Sequence, residues 1–389
     1  MSYISSKANR FYTALESAFG QVAPVTAANR IPAVKLAIKQ QMETAERKDK
    51  TGSRTFAGLP PGGRRRTQFD LQTYMTTWDD TSREPGYGPL FRGCLGAAPL
   101  LGGGGAAGSG SSGTTLVYSA PHNLAPGQAV AFNGEIRFVA SVASATAVTL
   151  NAPFTTMPGA GAGLGTTCTY FPATEIPSTS IFDYWSPSTA VQRLLCGAAV
   201  NRMELQVNGD FHEFRFSGLA QDLLDSSSFS AGLGQLSNFP PEPELGAFDY
   251  SIIPGHMGQA WLGSSPEQFY TITSATFVVD NNVDMRAKEF GSNVPKGIAA
   301  GDRSVTVDFD LFELDDDATR ALYQAARQQS PISVMFQLGE QNGQLVGVYL
   351  KSVLPEVPQF DDSGARLQWR FRGSRAQGTV DDEIAVAFG

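Results

Sequence analysis

Histidine and cysteine are nearly missing from this sequence, with three of each in 389 residues. His122, His212 and His256 sit in separate segments, and none has a partner at metal-ligand spacing. Each reads as a satisfied or exposed imidazole rather than a ligand. Cys94, Cys168 and Cys196 form no CxxC pair. An odd count at wide spacing fits packing thiols in a reducing compartment. No serine stands in a GxSxG elbow. Gly108, Gly110 and Gly113 match GxGxxG, but no strand precedes them and no helix follows, so the context that cradles a phosphate is missing. These absences leave no catalytic constellation, no metal site and no cofactor, and the expectation is a protein that is not an enzyme.

Charge is also scarce. Charged residues make up 17% of the chain, where roughly 25% is usual, which points to surface buried in an assembly. The net charge of −8 argues against wrapping nucleic acid by phosphate neutralisation. It leaves room for nucleic acid passing close by. No stretch approaches the roughly 18 apolar residues of a membrane helix. No apolar run follows a basic start, so neither a signal peptide nor membrane insertion is expected. Hydrophobic residues at 42% suffice for a core, and 41 glycines with 23 prolines supply many turns.

What the chain does have is repetition. Residues 209–218 read Gly-Asp-Phe-His-Glu-Phe-Arg-Phe-Ser-Gly, and residues 364–373 read Gly-Ala-Arg-Leu-Gln-Trp-Arg-Phe-Arg-Gly. Both end in aromatic-Arg-Phe-x-Gly. Phe214 and Phe216, or Leu367, Trp369 and Phe371, alternate with polar residues, the period of a strand with one wet face. A second pair lies upstream of these. Gly52 stands ten positions before Gly62, Gly291 ten before Gly301, and both following runs end in Phe-Asp-Leu. Gly62 and Gly209 are 147 positions apart, against 63 for Gly301 and Gly364. The excess of 84 is nearly the size of a distinct stretch at 97–171. The reading is two copies of one β-rich unit, the first carrying an inserted module.

The expected fold class is mainly β, a duplicated β-sandwich or barrel unit with a flanking helix and an extra small β-barrel-like domain. The first unit takes residues 1–96 and 172–225, the insert 97–171, a Pro-rich connector 226–260 and the second unit 261–389. A short amphipathic helix is expected at 6–19, where Phe11, Leu15 and Phe19 keep helical spacing. Long hairpin loops are expected at 40–63 and 281–301. Helices are expected at 90–95 and 315–327, the second opened by Asp315, Asp316 and Asp317 as cap and solvated charge. The Gly/Ala/Ser stretches 97–113 and 159–165 read as flexible linkers. Strands follow at 179–184, 202–207, 211–216, 272–279, 305–312, 332–337, 346–354 and 367–371.

In 304–311 the core face is Val305, Val307, Phe309 and Leu311, and the wet face Ser304, Thr306, Asp308 and Asp310. In the first copy Phe69 and Leu71 lie inside, with Gln68, Asp70 and Gln72 outside. A sheet closed about an axis would turn that polar face into a channel wall. An open sheet would leave it as an ordinary solvated side.

The order of these elements resembles the tail tube protein (major tail protein) of long-tailed bacteriophages. The features that carry the resemblance are strand, long hairpin loop and strand ending Phe-Asp-Leu, the helix near 317–326, Ser178-Thr179-Ser180-Ile181 leading to Leu195-Cys196-Gly197-Ala198-Ala199-Val200, and the 209–218 motif with its echo. The resemblance implies a virion structural subunit whose inner sheets join into a barrel. Rings of it stack into a tube that conducts DNA from capsid to host. A duplicated chain implies a homotrimeric, pseudo-hexameric ring. Implied partners are further copies, the tape measure, terminator and baseplate proteins of the tail, and DNA that passes without specific binding. Implied lumen-facing residues are Gln68, Asp70, Thr306, Asp308 and Asp310, with Arg370 and Arg215 opposing the acids locally. Ring–ring contacts fall to the loops bearing Gly52, Gly58, Gly62, Arg64, Gly291, Lys296 and Gly301, and to the N- and C-terminal arms, while the insert projects outward. The rival readings are another virion part (terminator, baseplate hub or decoration protein) and a carbohydrate-binding adhesion protein.

Overall fold

The computed structural model describes residues 3–43, 48–50, 52–55, 58, 62–78, 84–245 and 251–389. Parts of the first long hairpin loop, and residues 246–250 of the connector, lie outside them. Strands take 46% of the chain and helix 7%, so the fold is mainly β. No helix among the described residues is long and apolar enough to cross a membrane.

The main feature is one antiparallel sheet that runs through both halves of the sequence. Ala33–Glu43 pairs with Arg64–Tyr74 across the first long loop, and Arg64–Tyr74 pairs with Glu213–Ala220. Glu213–Ala220 pairs with the long strand Arg193–Val207, which meets Ile272–Asp280 of the second half. Ile272–Asp280 pairs with Ser304–Phe312 across the second long loop, then come Gln368–Ala376 and Gln359–Asp361. The seam between the halves is an unbroken ladder, from Arg202 opposite Asp280 to Val207 opposite Ala275.

The pairings outside this sheet also recur. Asn9–Leu15 lies beside Thr179–Trp185, and Gly258–Gly263 lies beside Ile332–Leu338. Thr179–Trp185 pairs with Arg193–Val207 as Ile332–Leu338 pairs with Val346–Leu354. Asp222–Asp225 flanks the first of these layers as Ala385–Phe388 flanks the second. Between each loop-closing hairpin and its cover layer comes one helix, α1 (Gly88–Leu95) and α2 (Asp317–Gln328). Asp316 caps α2 by accepting the Thr319 N–H at 2.7 Å.

The strand Arg193–Val207 serves two layers because it bends. Its first part pairs with the cover layer and its last part with the long sheet, with a register shift between Val200 and Arg202. The closing glycine of the 209–218 motif is needed at this bend. A Cβ at Gly218 would stand 2.0 Å from the Ala199 carbonyl oxygen. Its counterpart Gly373 has φ +69°, at a register shift opposite Asp308. The repeated motif therefore ends in glycine for two different backbone reasons.

Three expectations are corrected here. Residues 9–15 form a strand, not a helix. Phe11 enters the main core while Tyr12 enters a second core with Phe182 and Tyr184, so successive side chains face opposite layers. The Gly-rich stretches are paired stems rather than free linkers. Leu100–Gly103 pairs with Thr166–Tyr170, and bridges join Ala106 to Gly163 and Ala131 to Gly165. Small residues there let backbones approach closely. The C-terminal segment is no free arm either, because Ala385–Phe388 is buried between Val346–Leu354 and Thr166–Tyr170.

The insert forms a four-stranded sheet of Thr115–Val117, Ala147–Leu150, Glu135–Ser144 and Ala129–Phe132 with its own small core. It does not simply project. Ala129, Ala131, Ile136 and Phe138 pack with Trp261, Met335, Tyr349 and Ala387 of the second half.

Candidate functional site

The long sheet has two chemically distinct faces. One is the core: Leu36, Phe69, Leu71, Phe214, Phe216, Met203, Leu205, Phe277, Val279, Val307, Phe309 and Phe371 are all buried. Both helices cover it. Phe91 of α1 meets Phe214 and Phe216 edge-on at 5.3 Å, and Tyr323 of α2 lies 5.5 Å from Trp369. The other face alternates with it and is polar over both halves. Strand alternation thus sorts the side chains of two sequence copies onto one wall.

Gln68, Asp70, Thr306, Asp308 and Asp310 all alternate with the core residues of their strands, so the structure brings the expected wall residues onto one face. It does not leave their carboxylates bare. Asp70 accepts from Arg215 Nε at 3.0 Å, and its charge holds the guanidinium more firmly protonated. Asp308 accepts the Gly373 N–H at 2.6 Å. Asp310 is 9% exposed and pairs with Arg372. Arg370, the expected opponent of the acids, pairs instead with Asp361. The register shift near Asp308 brings Arg372 and Gly373 onto these aspartates, and no sequence spacing signals a bulge. At the seam Arg202 lies 3.5 Å from Glu204 and 4.0 Å from Asp280. The wall is therefore a lattice of paired charges rather than an acidic strip.

This difference has a measurable consequence. Asp310→Asn leaves a half-buried guanidinium without its charged acceptor and should cost on the order of 1–2 kcal/mol. Asp70→Asn removes a pair whose side chains are 56% and 37% exposed, and should cost less than about 1 kcal/mol. Urea unfolding of both variants checks this, and equal losses would contradict the assignment.

The expected contact-loop residues gather at one end of the long sheet. Gly52, Gly58, Gly62 and Gly291 have φ of +74°, +87°, +87° and +84°, with open space around each position. Gly301 donates its N–H to Asn281 O, and the Lys296 N–H bonds Arg286 O. The two long loops touch. Arg65 N–H donates to Asn293 O at 2.8 Å, and Arg64 Nη2 lies 3.5 Å from Lys288 O. Between them is a cleft of ≈ 510 Å³ lined by Arg64, Arg65, Arg66, Met285, Lys288 and Pro295.

The residues with catalytic potential are dispersed. His122 is held by Ser144 O and the Leu124 N–H. Burial pushes the His212 imidazole below its ordinary value, and its Nε2 meets Met257 O. Burial raises each of the three thiols to about 12. Among the described residues no three His, Cys, Asp or Glu side chains could hold a metal ion.

No protein-family model matches the chain, and no curated protein matches it. Function must be argued from the wall, its edges and its ends.

Proposed function

We propose that this chain is the structural subunit of a phage tail tube, whose copies close into rings that stack around a channel for DNA. One observation carries the reading: a single antiparallel sheet crosses both sequence copies, polar on one face and covered on the other. Its seam inside the chain is the kind of joint that would recur between chains. The sheet ends in two strands, Ala33–Glu43 and Gln359–Asp361, with no further strand partner among the described residues. Exposed edges of this kind invite pairing with another chain, and closing a ring removes them. The long sheet has eight strands, so three copies supply about 24, above the roughly 16–18 at which a barrel keeps an aqueous channel. Paired charges on its wall attract neither DNA nor a shell of counterions strongly, which suits passage without binding.

Negative-stain electron microscopy with mass measurement of the smallest assembly tests this. Rings or tubes with a three-chain repeat and a central channel are the expected result. A protein that stays monomeric at every concentration, with or without the other tail components, would sink the reading.

A further inference from the structure

Resting on the tube reading, we infer that rings of this protein stack head to tail by charge, the basic loop end of one copy seating on the acidic end of the next. The strand directions define the two ends. Ala33–Glu43, Arg64–Tyr74, Ile272–Asp280 and Ser304–Phe312 all meet the two long loops at one end. There Arg66, Arg286, Lys288 and Lys296 are exposed, with Lys48 and Lys50 on the first loop. Of these, Arg286 is paired, with Glu289. The opposite ends of the same strands run into turns bearing Asp210, Glu313, Asp315, Asp317 and Asp362. Asp315 and Asp317 have fully exposed side chains, held only by Arg320 of α2. One end is therefore predominantly basic and the other predominantly acidic, although the chain as a whole carries −8.

A second observation fits the same partner. Phe290 on the basic end is 105% exposed, and Tyr270 and Leu314 near the acidic end are 83% and 49% exposed. Large apolar side chains left bare at both ends, within a charged rim, have the anatomy of an interface with a central anchor. Identical ends would repel. Opposite ends make the contact heterologous, and a heterologous contact along the strand direction propagates as a filament. The occupant is a second copy of this chain.

Charge reversal tests the polarity. The variant R64E/R66E/K288E and the variant D315K/D317K/D362K should each form rings and each lose stacking at least tenfold, read by sedimentation and electron microscopy. Mixed in equal amounts they should recover filaments, because each reversed end then meets its reversed counterpart. That recovery also shows that both variants are folded. Parent filaments should shorten between 0.1 and 1 M salt, as the screening length falls from about 10 Å to about 3 Å. Reversed variants that stack like the parent, or a mixture that stacks no better than its components, would overturn the inference and leave the ring standing. A parent that forms rings without stacks overturns it as well. A parent that forms neither removes both readings.

Discussion

Deleting residues 385–388 should abolish the native fold, and Phe388→Ala alone should cost about 3–5 kcal/mol. The segment is short, but it is a strand with neighbours on both sides. Val346 to Tyr349 pair with it on one flank, and Cys168 to Tyr170 on the other. All four of its residues are buried. Phe388 reaches across to the first half of the molecule, where its ring lies 5.2 Å from Phe91, 5.6 Å from Tyr87 and 5.9 Å from Tyr170. Removing the strand bares two edges in the interior and opens that aromatic cluster. Truncating the ring alone leaves the ladder and creates a cavity. Denaturant unfolding separates this from a loose arm. In the same experiment Val380→Ala, at a side chain 76% exposed, should change stability by no more than about 0.5 kcal/mol. If Phe388→Ala is as mild as Val380→Ala, the strand is not part of the core.

That segment also shows where sequence reasoning stops. Strands with one wet face announce themselves by alternation, and Gln68 to Leu71 or Ser304 to Leu311 could be placed on their faces before any coordinates. The duplication was legible for the same reason, because paired glycines and Phe-Asp-Leu endings recur in order. α2 was legible through its acidic cap. Ala385–Phe388 has no alternation, because it is covered on both faces, and a run of four apolar residues carries no period. Asn9–Leu15 failed in the same way, with Phe11 and Tyr12 buried in two different cores. The partner of Asp310 was missed because a bulge, not a spacing, brings Arg372 to it. For the wall, then, the residue types and the face could be read from local pattern. Their pairing could not, because it depends on long-range register.

The docking of the insert onto the second half should hinge on Arg137, and Arg137→Ala should cost about 3–5 kcal/mol. Arg137 is fully buried, and burial lowers its guanidinium to about 10. It stays charged at neutral pH because every direction is satisfied. Nε donates to Pro153 O at 2.9 Å and Nη1 to Ile136 O at 2.8 Å, both within the insert. Nη2 donates to Gln259 Oε1 at 2.8 Å, and Nη1 reaches Gln337 Oε1 at 3.2 Å, both in the second half. The Trp261 ring lies 5.0 Å from the guanidinium carbon. Gln337 completes the joint by accepting the Ile136 N–H and donating to Gly134 O. Truncating the arginine strands these acceptors and leaves Glu135 without its cation at 3.4 Å. Burial pushes the Glu135 carboxyl up, but Thr155, Gln259 and the Arg137 charge outweigh it and hold it below its ordinary value. A carboxyl depressed in the folded state adds stability that is full above its unfolded value and lost as pH falls through its folded one. Acid should therefore loosen the joint before it unfolds the long sheet. Hydrogen exchange reads both effects. In Arg137→Ala, or in the parent at acidic pH, amides of Glu135–Ser144 and Ile332–Leu338 should lose protection while Arg64–Tyr74 keeps it. A cycle with Gln337→Ala should give a coupling of about 0.5–3 kcal/mol. Additive losses, or exchange that rises evenly over all strands, would show that the insert and the second half are not joined through this side chain.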